Sequence, residues 1–178
     1  MKGMCYIEPL FYKVEDSSKT KTRRIKKGKP RYKVGDIVYL KEPYFNISGL
    51  TFYKFDKNRP DIAKCLWKNK LFMPESAARV FIEITEVREE RLQDISEEDC
   101  IKEGITRHHA SGMNWYENGL SIKIKNSLPQ SGWTTAREAY AALIDHINSK
   151  GTWDSNPLVY VYGFRKYDRT WEYSQSRG

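Results

Sequence analysis

The chain has 178 residues, with 31 Lys and Arg against 23 Asp and Glu, a formal charge of +8 and 13% aromatic residues. That length and aromatic share exclude overall disorder and allow one domain, with insertions or a short appendage, whose core needs no disulfide or metal. No run of about 18 apolar residues exists, which excludes a transmembrane helix, and the three cysteines, Cys5, Cys65 and Cys100, form neither a C-x-x-C pair nor a zinc spacing.

The opening residues, MKGMCYIEPLFYKVED, lack a long apolar segment and a small-residue cleavage site. No secretory leader is expected, and the wide cysteine spacing fits a reducing, cytoplasmic setting. Lys2 to Asp16 reads as a short strand or helix. Ser17 to Lys33, SSKTKTRRIKKGKPRYK, holds nine Lys and Arg and no acid; without it the balance is 22 against 23. Gly35-Asp36 signals a turn into a strand over Ile37 to Leu40, closed by Pro43, and "LTFYKFD" is a candidate neighbour. Arg59 to Ala78 reads as irregular. Ala78 to Leu92 alternates as a half-buried strand. Ser96 is a good N-cap for a short helix, with Asp99 at its third position, an Ile95–Cys100 staple and a stop at Gly104. Thr106 to Trp133 reads as an insertion or long loop, with one strand candidate at Leu120 to Ile124. Thr135 and Glu138 make a capping box for a helix whose apolar face is Ala139, Tyr140, Leu143, Ile144 and Ile147. "NPLVYVYGFRKY" is the last strand, and residues 168–178 read as a loose tail.

Three strand regions interrupted by two helices and an insert do not match a regular parallel α/β alternation. The expected class is α+β, a small mixed barrel or curled sheet with flanking helices, forming one domain over residues 1–167.

The basic stretch admits two readings: a solvated charge run, or a polyanion contact in which each cation that neutralises a phosphate releases counterions. Interleaved Ser17, Ser18, Thr20 and Thr22, and the direct entry into a strand, favour order. The segments "SSKTKTRR", "KPRYKVGDIVYLKEPYF", "ESAARVFIEITEVREERLQDISEEDCIKEGI" and "WDSNPLVYVYGF" together resemble ASCH-domain proteins, closest to the longer phage and prophage members with a "GRKTxTRR … PRYxxGDxLWVRE" pattern. The resemblance covers roughly residues 8–105 and 134–167 and leaves the insertion out. Ser17-Ser18 replace the family's Gly-Arg, and "YLKEPYF" stands where the longer relatives show "WVRE" followed by Thr-Trp.

The resemblance implies a PUA-like mixed β-barrel with a cleft for RNA, a nucleotide or a modified nucleoside. No cofactor is expected. Some small members hydrolyse the amide of N4-acetylcytidine with a Lys, a Thr and a Glu; by motif position these fall on Lys19, Thr22 and Glu103. The chemistry is self-consistent. A Thr hydroxyl needs a base, and a Lys serves as one only if burial and neighbours such as Lys21, Arg23 and Arg24 lower its pKa. Glu103 could hold the ammonium, shuttle a proton or accept from an exocyclic amine; read blandly, it is a surface carboxylate and Thr22 a turn hydroxyl. Lys21, Arg23, Arg24, Lys26 and Lys27 are candidate phosphate or base contacts, and Tyr44 and Phe45 either stack on a base or pack on the barrel. Trp115 and Tyr116 are candidate exposed aromatics, Trp153 a core residue, and His108-His109 loop residues. Lys19 to Arg24 is expected to line a pocket and Lys26 to Lys33 to form its basic rim. The expected function is nucleic-acid or nucleotide binding, with two alternatives: an amidohydrolase of an N-acylated nucleoside, or an assembly or interaction protein of a phage.

Overall fold

The computed structural model describes residues 1–56, 67–110, 113–119 and 132–169. The first expected element resolves into two. Strand β1, Lys2–Cys5, is followed by helix α1, Glu8–Glu15, with Pro9 in its first turn, where the missing N–H costs nothing. Leu10, Phe11 and Val14 bury one stripe of that helix. Strand β2, Lys21–Ile25, lies inside the basic run. Strand β3, Ile37–Lys41, and the hairpin β4, Tyr44–Ile47, with β5, Leu50–Tyr53, come next. Within the stretch read as irregular, Lys70–Phe72 and Glu75–Ala77 form 3-10 turns. Strand β6, Phe81–Arg91, leads to helix α2, Glu97–Lys102, capped by the Ser96 hydroxyl, which accepts from Asp99 N at 3.1 Å. Ile95 and Cys100 are fully buried, as a staple requires.

The insertion contains a hairpin, β7, Thr106–Ala110, and β8, Met113–Glu117, so His108 and His109 sit on a strand and not in a loop. The strand candidate at Leu120 to Ile124 lies outside the described residues. Helix α3, Ala136–Ile147, has the expected Thr135–Glu138 capping box, and the Glu97 carboxylate accepts from Ala136 N at 2.8 Å, tying α2 to the start of α3. Strand β9, Leu158–Tyr167, closes the fold. Arg169, placed in the tail by sequence, pairs with Glu75 at 2.9 Å and lies over the Phe81 ring.

The fold is α+β around a five-stranded mixed sheet in the order β1-β3-β6-β9-β2. Only the β1–β3 pair is parallel. The β1 edge is joined by side chains to β2 and to the loop that follows it. Arg24 Nη2 donates to Cys5 O at 2.9 Å, Tyr32 Oη to Gly3 O at 2.9 Å, and Lys2 Nζ to Arg31 O at 2.7 Å. Among the described residues no ladder joins β1 to β2, so the sheet curls on itself around a seam. The core, which includes Phe11, Leu40, Ile82, Ile84, Leu143 and Tyr162, lies between the sheet and the helices. Among the described residues no helix is long and apolar enough to cross a membrane.

Candidate functional site

Strand β2 is the sheet edge from which the site is built. Its approach is clamped on three sides: Lys19 N donates to Lys13 O, Thr20 N to Lys102 O, and Phe164 N to Thr20 O, all between 2.7 and 2.9 Å. Lys19 is thereby turned inward and is only 1% exposed. Its Nζ donates to Lys21 O at 2.7 Å, Glu103 O at 2.6 Å and Glu103 Oε2 at 2.7 Å, which uses all three donors of an ammonium. Burial pushes its pKa down to about 8; Glu103 opposes this, while Arg24 and Arg23 add to it. Glu103 is placed by the end of α2, directly before Gly104. Gly104 has φ +103, and a Cβ there would come within 3.1 Å of Leu10 and 3.2 Å of Lys13. Only glycine lets the chain turn this close to α1.

Along β2, side chains alternate in direction. Lys21 and Arg23 meet carboxylates. Arg23 donates to Glu90 at 2.6 Å, Asp99 at 2.9 Å and Glu103 at 3.1 Å, and Lys21 pairs with Asp99 at 3.0 Å. Arg88 also pairs with Glu86, Glu90 and Asp99. Lys19, Lys21, Arg23 and Arg88 thus face Glu86, Glu90, Asp99 and Glu103, four cations against four carboxylates. Burial raises the Asp99 pKa, but Lys21 and Arg23 outweigh it and hold the carboxyl below its usual range.

Thr22 and Arg24 take the alternate direction. Thr22, 3% exposed, lines a recess of about 50 Å³ together with Tyr6, Lys19, Arg24, Glu103 and Tyr140. The three positions suggested by the family resemblance therefore share one wall. Outside it, in the seam between β1 and β2, lies an open cleft of about 610 Å³. Arg24, Lys27, Lys29, Arg31 and Lys41 line it, with Tyr32, Tyr160 and Tyr162 between them. None of these five cations pairs with a carboxylate among the described residues. Arg24 borders both spaces and lies over the Tyr6 ring, 5.1 Å from its centroid.

Tyrosine hydroxyls order the basic run beside the cleft. Tyr160 Oη donates to Gly28 O at 2.6 Å, and Tyr162 Oη accepts from Arg31 N at 3.1 Å. The predicted contacts therefore separate. Arg24 and Lys27 reach the cleft. Lys21 and Arg23 are spent in the ion network, and Lys26 pairs with Glu89 at 2.6 Å. Tyr44 is buried against Met73 and Ala77, the packing alternative. Sequence reasoning did not single out Lys41, Tyr6, Tyr32 or Tyr140. The Tyr160/Tyr162 alternation in β9 was the one available signal for a tyrosine wall. Among the described residues no group of three His, Cys, Asp or Glu could hold a metal ion. In comparisons with known proteins, no family model, curated protein or solved structure matches the chain.

Proposed function

We propose that the chain is an ASCH-type, PUA-like domain that binds a nucleotide or an RNA strand in the seam cleft. One observation carries this reading: five cations without carboxylate partners among the described residues share that cleft with three tyrosines, while the cations of the neighbouring network are fully matched. Unmatched cations attract phosphates and release their counterions, and tyrosine rings offer faces for bases. The test is binding of a labelled single-stranded RNA across a salt series. With three to five phosphate contacts the plot of log affinity against log salt has a slope of about −2 to −3.5. Arg24→Ala and Lys27→Ala each make it shallower, whereas Lys26→Ala, whose cation is already paired, does not. Absent or salt-insensitive binding refutes the proposal.

A second reading, hydrolysis of an N-acylated nucleoside, is favoured by Lys19, Thr22 and Glu103 lining one recess and by the lowered pKa of Lys19. At rest Lys19 is an ammonium with three acceptors. In its neutral form it takes the Thr22 proton as the hydroxyl oxygen adds to the acyl carbon. The amide C–N bond then breaks as the ammonium returns the proton to the leaving amine, and water hydrolyses the ester. Release of cytidine from N4-acetylcytidine by wild type, lost in Lys19→Ala and rising with pH through about 8, is the expected result; no turnover by wild type leaves binding alone.

A further inference from the structure

Two buried hydroxyls on the recess wall lack a hydrogen-bond partner among the described residues: Tyr140 Oη, from α3, and Tyr6 Oη, from the turn before α1. Tyr140 is fully buried and Tyr6 is 3% exposed. Burial pushes both hydroxyls above their ordinary pKa, so both keep their proton and remain donors. Tyr140 lines the recess together with Arg23, Arg24 and Glu103. The Thr22 hydroxyl stands beside Tyr6 Oη without closing a bond of normal geometry. A buried donor left unmade costs about 1–3 kcal/mol. Phenylalanine would fill the same volume without that cost. Two such hydroxyls on one small recess point to an oxygen that arrives from outside the chain.

The charges of the recess narrow what that oxygen can be. Lys19 has spent its three donors, and Glu103 is held by Lys19 and Arg23. Among the described residues only Arg24, which borders the outer cleft, lacks a carboxylate. A neutral acceptor fits; a phosphate or an ammonium does not. About 50 Å³ admits a carbonyl and the few atoms beside it, and not a whole base.

We propose that Tyr140 and Tyr6 are ligand-contacting residues that donate to one carbonyl oxygen on the edge of a nucleobase, while the phosphate of the same ligand lies in the outer cleft. This rests on the cleft being a nucleotide site. It adds a specificity determinant on α3 and assigns Arg24 the boundary between the two parts of the ligand.

The experiment measures affinities of UMP, CMP, GMP and AMP by calorimetry for wild type, Tyr140→Phe and Tyr6→Phe, with melting temperatures alongside. Adenine is the base without a carbonyl. We expect AMP to bind weakest in wild type. Tyr140→Phe should weaken the three carbonyl-bearing nucleotides by about tenfold, the value of one hydrogen bond to a neutral acceptor. It should leave AMP unchanged and the melting temperature level or higher. Loss of affinity for all four together with a lower melting temperature would mean a packing role, and overturns the inference. Unchanged affinities would mean that the hydroxyls hold only a buried water, and also overturn it. If wild type binds none of the four, the reading of the cleft itself fails and takes this one with it.

Discussion

Replacing Glu103 by Gln removes the single carboxylate paired with Lys19 among the described residues and leaves Arg23 short of one partner. The carboxylate accepts with both oxygens, Oε2 from Lys19 at 2.7 Å and Oε1 from Arg23 at 3.1 Å. A glutamine must turn its NH2 toward one of the two cations. Both cations are buried, so the loss is that of breaking a buried pair, about 3–5 kcal/mol. For a chain of this size that is a fall of about 10 °C in melting temperature. Lys19→Met should cost less, about 2 kcal/mol, because Glu103 keeps Arg23 while its Oε2 and two backbone carbonyls lose a donor. The double variant should then be less unstable than the sum by about 2 kcal/mol, since contacting residues couple. Urea unfolding at pH 7 of the four proteins reads all three values. The lysine also leaves a pH signature. Its folded-state pKa, lowered to about 8, lies below that of a free lysine, so the unfolded chain binds more protons above pH 8. Wild type therefore gains on Lys19→Met by up to about 1.4 kcal/mol per pH unit between pH 8 and 10. Additive single variants, or a Glu103→Gln loss below about 1 kcal/mol, would refute the claim that this buried pair organises the recess.

Arg79 donates to both oxygens of fully buried Glu42, at 2.7 and 3.1 Å, and Arg79→Ala should cost about 3–5 kcal/mol. Burial already raises the Glu42 pKa against the pull of Arg79. Without the guanidinium it rises further, so the deficit should shrink as pH falls and the carboxyl protonates; a deficit that grows on acidification refutes the assignment. At Gly163 an added Cβ would meet Glu86 Cβ at 2.9 Å and its carboxylate at 3.1 Å. Gly163→Ala should therefore cost about 1–3 kcal/mol by urea unfolding.

That glycine also explains why the elements were legible and their meeting was not. Each half of the ion network is visible as periodicity. Glu86, Arg88 and Glu90 recur every second residue on one strand, and Asp99 and Glu103 stand one helical turn apart. "KTKTRR" alternates in the same way, which is enough to place Lys21 and Arg23 together and Thr22 and Arg24 apart from them. What spacing does not give is the strand order. Strands β2 and β6 are not paired; β9 lies between them, with Gly163 in register with both Lys21 and Glu86. The missing side chain opens the row, so that Lys21 reaches Glu86 at 3.6 Å across an intervening strand. Four of the nine cations of the basic run are neutralised by acids sixty and more residues away in sequence, and no local count of charge could separate Lys21 and Arg23 from Arg24 and Lys27. The tyrosine wall was hidden for a related reason. Tyr6, Tyr32, Tyr140 and Tyr162 come from four separated segments, and each alone is a good core residue. Only the curl that brings the β1 and β2 edges together sets Tyr32 and Tyr162 on the cleft beside a recess lined by Tyr6 and Tyr140. The charge that a polyanion would meet is what remains after the fold has matched the rest: Arg24 at the boundary, and Lys27, Lys29, Arg31 and Lys41 along the seam.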